Sequence, residues 1–212
     1  MATNKYDKIE LVHQYNICLD TRDIFLYDEI NCDSAMSFIK NARLLDDRTN
    51  KPITIHQHSI GGDWTAGMAI YDCIISLSCP ILFITYGFAA SMGSVIPQAV
   101  YGKGLRITHK NCEWLIHEGS ISLEGTNRGV VSQVEANNRL TSTMYDIYAN
   151  VCKKSEYFTG EKESKVKAFL KRKLSSKEDW CISGQDAVSY GFADAVYGSE
   201  GYETIETIKG LL

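Results

Sequence analysis

A serine hydroxyl becomes a nucleophile when a tight turn lifts it out of a strand and a base stands beside it. Two segments of this chain have residue types suited to that task. Gly87-Phe88-Ala89-Ala90-Ser91-Met92-Gly93-Ser94 follows an apolar run and precedes a helix-like stretch. A sharp turn there raises Ser91 from the sheet and aims the N–H of Met92 into the same space. The glycine lies four residues before Ser91, so this is not a G-x-S-x-G elbow. An N-capping serine beside a turn has the same composition, and the segment alone does not separate the two. His117 ends the apolar run Trp114-Leu115-Ile116, where an imidazole reaches a cleft; structural histidines occupy such places as well. A base of this kind needs an orienting carboxylate, and the 26 Asp and Glu residues leave that choice open. Upstream, Gly61-Gly62-Asp63-Trp64 also joins a strand to a helix. Free N–H groups there suit a developing oxyanion, and a plain Gly-Gly turn reads the same way.

Strands and helices must carry these groups. Strands are predicted at 23–27, 53–58 and 81–85, the first and third of them buried, with Ser59-Ile60-Gly61-Gly62 breaking the second and Gly87 marking a tight turn after the third. Two more are predicted near 105–107 and 114–117. Helices are expected over 33–45, with Met36, Phe38, Ile39, Ala42 and Leu45 inward, and over 65–77, 92–100, 131–152 and 161–174. Ser183 caps a short last helix, with Gly191 at its end. The first twenty or so residues are polar and weakly patterned. Alternating strands and helices mean an α/β fold with a mainly parallel sheet, in one domain spanning 1–212.

Bulk properties narrow the function classes. With 44% hydrophobic and 23% charged residues the chain can build a core. A net charge of −4 gives no reason to expect nucleic acid, and the basic stretch 161–173 reads as a solvated helix face. Seven cysteines, an odd number without C-x-x-C spacing, suggest reduced thiols in a cytoplasmic setting. Neither a secretory signal nor a membrane span is expected. No cofactor is called for. His56 and His58 share a strand face, as metal ligands would, but no third ligand stands nearby, and no metal is expected.

Four segments together resemble the Clp protease proteolytic subunit (ClpP) family of serine peptidases. They are GGDWTAGMAIYD at 61–72, GFAASMGS at 87–94, WLIHE at 114–118, similar to M-I-H-Q, and DWCISGQDAVSYGFAD at 179–194. They occur in the family's order, and the similarity spans about residues 24–196. The resemblance implies Ser91 as nucleophile, His117 as base and then acid, and Asp179 as the residue orienting the imidazole. It implies an oxyanion hole from the N–H groups of Gly62 and Met92. Extended peptide would pair with the backbone at Asp63 and Trp64 and at Gly119 and Ser120. It also implies a crotonase-like fold of stacked βαβ units with a protruding handle over 118–152, a strand plus the long helix. Two stacked heptameric rings of this chain would take in unfolded polypeptide fed by an AAA+ ATPase, with residues 1–22 near the axial pore.

The chain departs from that pattern in places. Ser59-Ile60 stands for Ser-Pro, Glu118-Gly119 for Gln-Pro, Ile121-Ser122 for the handle's Gly-Gly, and Trp180 for an arginine that couples the rings. Thr54 and His56 stand where aromatics form the ATPase-docking pocket. These departures keep a catalytically weak structural ring subunit as an alternative, and a crotonase-type acyl-CoA enzyme as a more distant one.

Overall fold

Apolar strands that alternate with amphipathic helices build a mainly parallel sheet covered on both faces. A computed structural model of the chain, describing residues 5–47 and 49–212, has that architecture. Strands β2 (Asp23–Ile30), β3 (Ile53–Gly62), β4 (Ile81–Ala90) and β5 (Gly104–Thr108) lie side by side in parallel. Helices α2 (Cys32–Asp46) and α3 (Trp64–Ser76) make the crossovers. The core centres on Ile55, Ile70, Ile74, Phe83 and Trp114, all fully buried.

Several elements differ from the expectations above. The first residues form helix α1 (Lys5–Tyr15), and β1 (Ile17–Cys18) pairs antiparallel with β2. In α2 the inward stripe runs Ala35, Phe38, Ala42, Leu45, and Met36 falls off that 3.6-residue period onto the surface. The serine and glycines after His58 do not break β3, which continues through Gly62, opposite Ile30 of β2. Nor does Gly87 end β4. The register runs from Gln57 opposite Thr85 to Ser59 opposite Ala89, so β4 carries extra residues in a bulge. Gly87 takes φ +48 there, and His58 Nδ1 accepts the displaced N–H of Phe88 at 3.1 Å.

That bulge divides the sheet and builds the site. Before it, Ile81–Thr85 of β4 pair with β5; beyond it, Phe88–Ala90 pair in parallel with β6 (Glu113–Ile116). Strand β7 (Trp180–Ser183), absent from the elements expected above, pairs antiparallel with β6, Ile116 opposite Trp180. Its four residues alternate buried and exposed, a signal too short to rank as a strand alone. Ser183 caps α7 (Gly184–Tyr190) by accepting the Asp186 N–H, and Gly191 closes it at φ +88, as expected.

Residues 117–126 form no strand, so the handle is an extended loop followed by α5 (Asn127–Cys152). A lone chain offers that loop no neighbouring strand to pair with. Only the last part of α5, from Met144 on, enters the core. Trp180 is buried among Phe169, Tyr190 and Phe192, with the Lys173 ammonium 5.8 Å from its ring centroid.

A buried fork ties the edge of the sheet to α7. The Arg106 side chain, 3% exposed for the residue, reaches both Asp194 oxygens, Gln98 Oε1 and the Gly191 carbonyl. Arg106→Met leaves three acceptors without their donor and is expected to cost about 3 kcal/mol of stability. Urea unfolding with an unchanged midpoint would contradict this.

Candidate active site

Strand register alone brings the candidate catalytic residues to one place. Ala90 lies opposite Leu115, and the Ser91 N–H donates to the Leu115 carbonyl at 2.9 Å. Ser91, the residue after β4, therefore stands beside His117, the residue after β6. Across β6, Ile116 faces Trp180, so Asp179, the residue before β7, meets His117 from the other side. His117 Nδ1 lies 3.2 Å from Asp179 Oδ1.

Ser91 holds an N-cap position without capping through its side chain. It precedes the short helix α4 (Met92–Val95), but its hydroxyl makes no capping hydrogen bond. Its backbone takes φ 52, ψ −122, a region that costs a residue with a Cβ on the order of 1–3 kcal/mol. A strained, uncapped serine at a strand-to-helix turn has the geometry of a nucleophile. Nor is His117 a satisfied structural histidine, because its Nε2 is buried and has no hydrogen-bond partner among the described residues. With Nδ1 facing a carboxylate, the neutral ring carries its proton on Nδ1 and leaves Nε2 free to accept one.

The two glycines have separate tasks. A Cβ on Gly61, at φ +90, would lie 2.5 Å from Ser91 Cβ and 2.7 Å from the Ala90 carbonyl. Gly61 thus lets β3 close against the serine turn, a contact invisible in sequence. Gly62 opens onto the cleft. The Asp63 N–H bonds the Ile30 carbonyl at 2.8 Å, and in a parallel ladder this turns the Gly62 N–H away from β2. The Met92 N–H, at the start of α4, donates to no backbone acceptor among the described residues.

A cavity of about 450 Å³ contains Ser91, His117, Gly62 and Met92 in its wall, with Asp63, Trp64, Gly119 and Ser120. Val95, Leu140 and Met144 give it an apolar side. Asp179 instead lines an adjoining cavity of about 460 Å³ behind His117. The Asp63 carbonyl accepts the Gly67 N–H, its N–H is given to Ile30, and its carboxylate caps α3 through Ala66 N–H. Its N–H is thus already taken, and only the second lone pair of its carbonyl is left for a peptide. The N–H groups of residues 118–125, by contrast, donate to no acceptor among the described residues.

His56 and His58 do not converge on a common point. His56 bonds the Tyr86 hydroxyl at 2.8 Å and stacks on Phe25, while His58 serves the bulge. Among the described residues no three His, Cys, Asp or Glu side chains are grouped to hold a metal ion. No helix there is long and apolar enough to cross a membrane.

Comparison with known proteins bears on the family and the fold. The family model for Clp protease matches residues 6–200. The ATP-dependent Clp protease proteolytic subunit 2 of Mycolicibacterium paratuberculosis is 31% identical over 86% of this chain and 85% of its own length. The ATP-dependent Clp protease proteolytic subunit of Deinococcus radiodurans is 30% identical over 86% of this chain and 83% of its own. Among solved structures, a mutant of ClpP1 from Listeria monocytogenes superposes with a TM-score of 0.70. At 22% identity, covering 93% of this chain and 99% of that one, it is a likeness of fold.

Proposed function

The chain belongs to the Clp protease family and is a serine endopeptidase subunit, and we propose that Ser91, His117 and Asp179 perform its peptide-bond hydrolysis. The observation that carries this is the convergence of three strand ends, with a strained, uncapped Ser91 and an unpartnered His117 Nε2 on one cleft.

The chemistry follows from those groups. Ser91 Oγ attacks the peptide carbonyl carbon while His117 Nε2 takes the hydroxyl proton. Negative charge grows on the carbonyl oxygen, and the N–H groups of Gly62 and Met92 stabilise it. The tetrahedral species collapses as the C–N bond breaks, and His117 returns the proton to the leaving amine. Water, deprotonated by the same imidazole, then hydrolyses the ester and restores the serine. Asp179 holds the Nδ1–H tautomer and stabilises the imidazolium. An extended substrate lies along the unpaired backbone of residues 119–122, with an apolar side chain toward Val95 and Met144.

Exposed apolar residues on the handle support assembly. Leu123 is 38% exposed, Val131 56% and Val134 38%, all on 118–152 and away from the cleft wall. Such a projecting surface is covered when copies associate. In this reading the chain forms heptameric rings, two of them stacked through the handle, with the described part of the segment 1–22, from Lys5 on, near the axial pore; residues 1–4 lie outside the described residues. A Clp-type AAA+ ATPase delivers unfolded polypeptide. Seven free thiols fit a reducing, cytoplasmic compartment.

The reading is tested on the purified native particle. Sedimentation is expected to show a species many chains in mass, and a fluorophosphonate is expected to modify Ser91, identified by peptide mapping. A monomer at micromolar concentration, or label elsewhere with Ser91 unmodified, contradicts it.

A further inference from the structure

We infer that Tyr145 and Glu118 act together as positioning residues for His117. The inference rests on the peptidase reading above. The loop after His117 leaves the sheet at once: residues 117–126 have no strand partner, and Gly119 turns at φ +80. Two side chains of α5 hold it. Gln133 Nε2 donates to the Glu124 carbonyl at 3.1 Å, and Tyr145 Oη donates to Glu118 Oε1 at 2.5 Å. The second anchor is one residue from the candidate base.

The anchor is fixed at one end. Tyr145 is 2% exposed within the core. Burial first, then the Glu118 hydrogen bond and charge, push its phenol well above the ordinary range, so it stays a neutral donor. The Lys171 ammonium, 5.5 Å from the ring centroid, faces the same ring. At its other end, Glu118 lines both the cleft containing Ser91 and the cavity containing Asp179. Pinning its carboxylate fixes the peptide unit that follows His117. It thereby limits the swing of an imidazole that must serve Asp179 on one edge and Ser91 on the other. Displacements of about 1 Å at such a group can cost 10²-fold in rate. The anchor needs an acceptor at position 118, and Glu and Gln both supply Oε1.

The test compares Tyr145→Phe, Glu118→Ala, Glu118→Gln and the Tyr145→Phe/Glu118→Ala pair on one fluorogenic peptide. Sedimentation and thermal melting check each variant. Tyr145→Phe and Glu118→Ala are each expected to lower kcat about tenfold, with KM within about twofold. Glu118→Gln is expected to retain most of kcat, and the pair to be no slower than either single change. The inference is overturned if Tyr145→Phe turns over at the wild-type rate, if the loss lies in KM, if Glu118→Gln is as slow as Glu118→Ala, or if the two losses multiply. Should Tyr145→Phe fail to assemble, Glu118→Ala against Glu118→Gln decides by the same criteria. A wild-type particle without hydrolysis that Ser91→Ala removes overturns the peptidase reading and this inference with it. Normal Ser91-dependent hydrolysis with an indifferent Tyr145 overturns this inference alone.

Discussion

Ser91→Ala is expected to abolish peptide hydrolysis, lowering kcat on the order of 10⁶-fold, the loss seen in a hydrolase stripped of its nucleophile. Alanine keeps the Cβ and hence the unfavourable φ 52, ψ −122. The variant should therefore fold, assemble and melt like the parent, because the hydroxyl caps no helix. Ser91→Gly should be equally inactive but more stable than Ser91→Ala by about 1 kcal/mol, since glycine occupies that conformation without strain. Comparison of Ser91→Ala with the parent separates a catalytic from a structural serine. A hydroxyl that capped α4 would lose about 1 kcal/mol on truncation to alanine, whereas Ser91→Ala is expected to melt like the parent. Melting curves and a fluorogenic peptide assay on both variants decide. Retained hydrolysis in Ser91→Ala removes Ser91 from the mechanism.

Asp179→Asn is expected to lower kcat by between about 10² and 10⁴. Asparagine keeps the size of the side chain but can offer its amide N–H to Nδ1, favouring the tautomer with the proton on Nε2. That tautomer cannot accept the Ser91 proton. The lower end of the range reflects a carboxylate whose side chain is 56% exposed, so water partly substitutes for its charge. Glu178→Gln, one residue earlier and also on the cavity behind His117, should change kcat by less than about twofold. Antiparallel pairing of Ile116 with Trp180 puts residue 179, and not 178, across from His117. Both variants are to be assayed on one peptide, with assembly checked by sedimentation. An inactive Glu178→Gln beside a normal Asp179→Asn would mean that the β6–β7 register is one residue off.

The local elements were largely written in the residues. Apolar runs ending at Thr85 and Ile116, and glycines at 61, 62 and 87, announced strands, helices and turns whose order alone gives a parallel α/β sheet. They also marked Ser91 and His117 as groups at element ends. Composition could not pick a carboxylate from 26, and only resemblance to a family pointed to Asp179. The physical reason is that β7 is four residues long and becomes a strand by pairing with β6, a partner some sixty residues away. The bulge at Gly87 is of the same kind. Local propensity reads a glycine as a break, yet the ladder resumes beyond it because His58, on another strand, accepts the freed N–H. The tie between Glu118 and Tyr145 joins residues 27 apart. The sequence by itself determined which groups could do the chemistry and on which element ends they lie. The tertiary structure decided which of them meet, because register and long-range hydrogen bonds depend on partners that no local window contains.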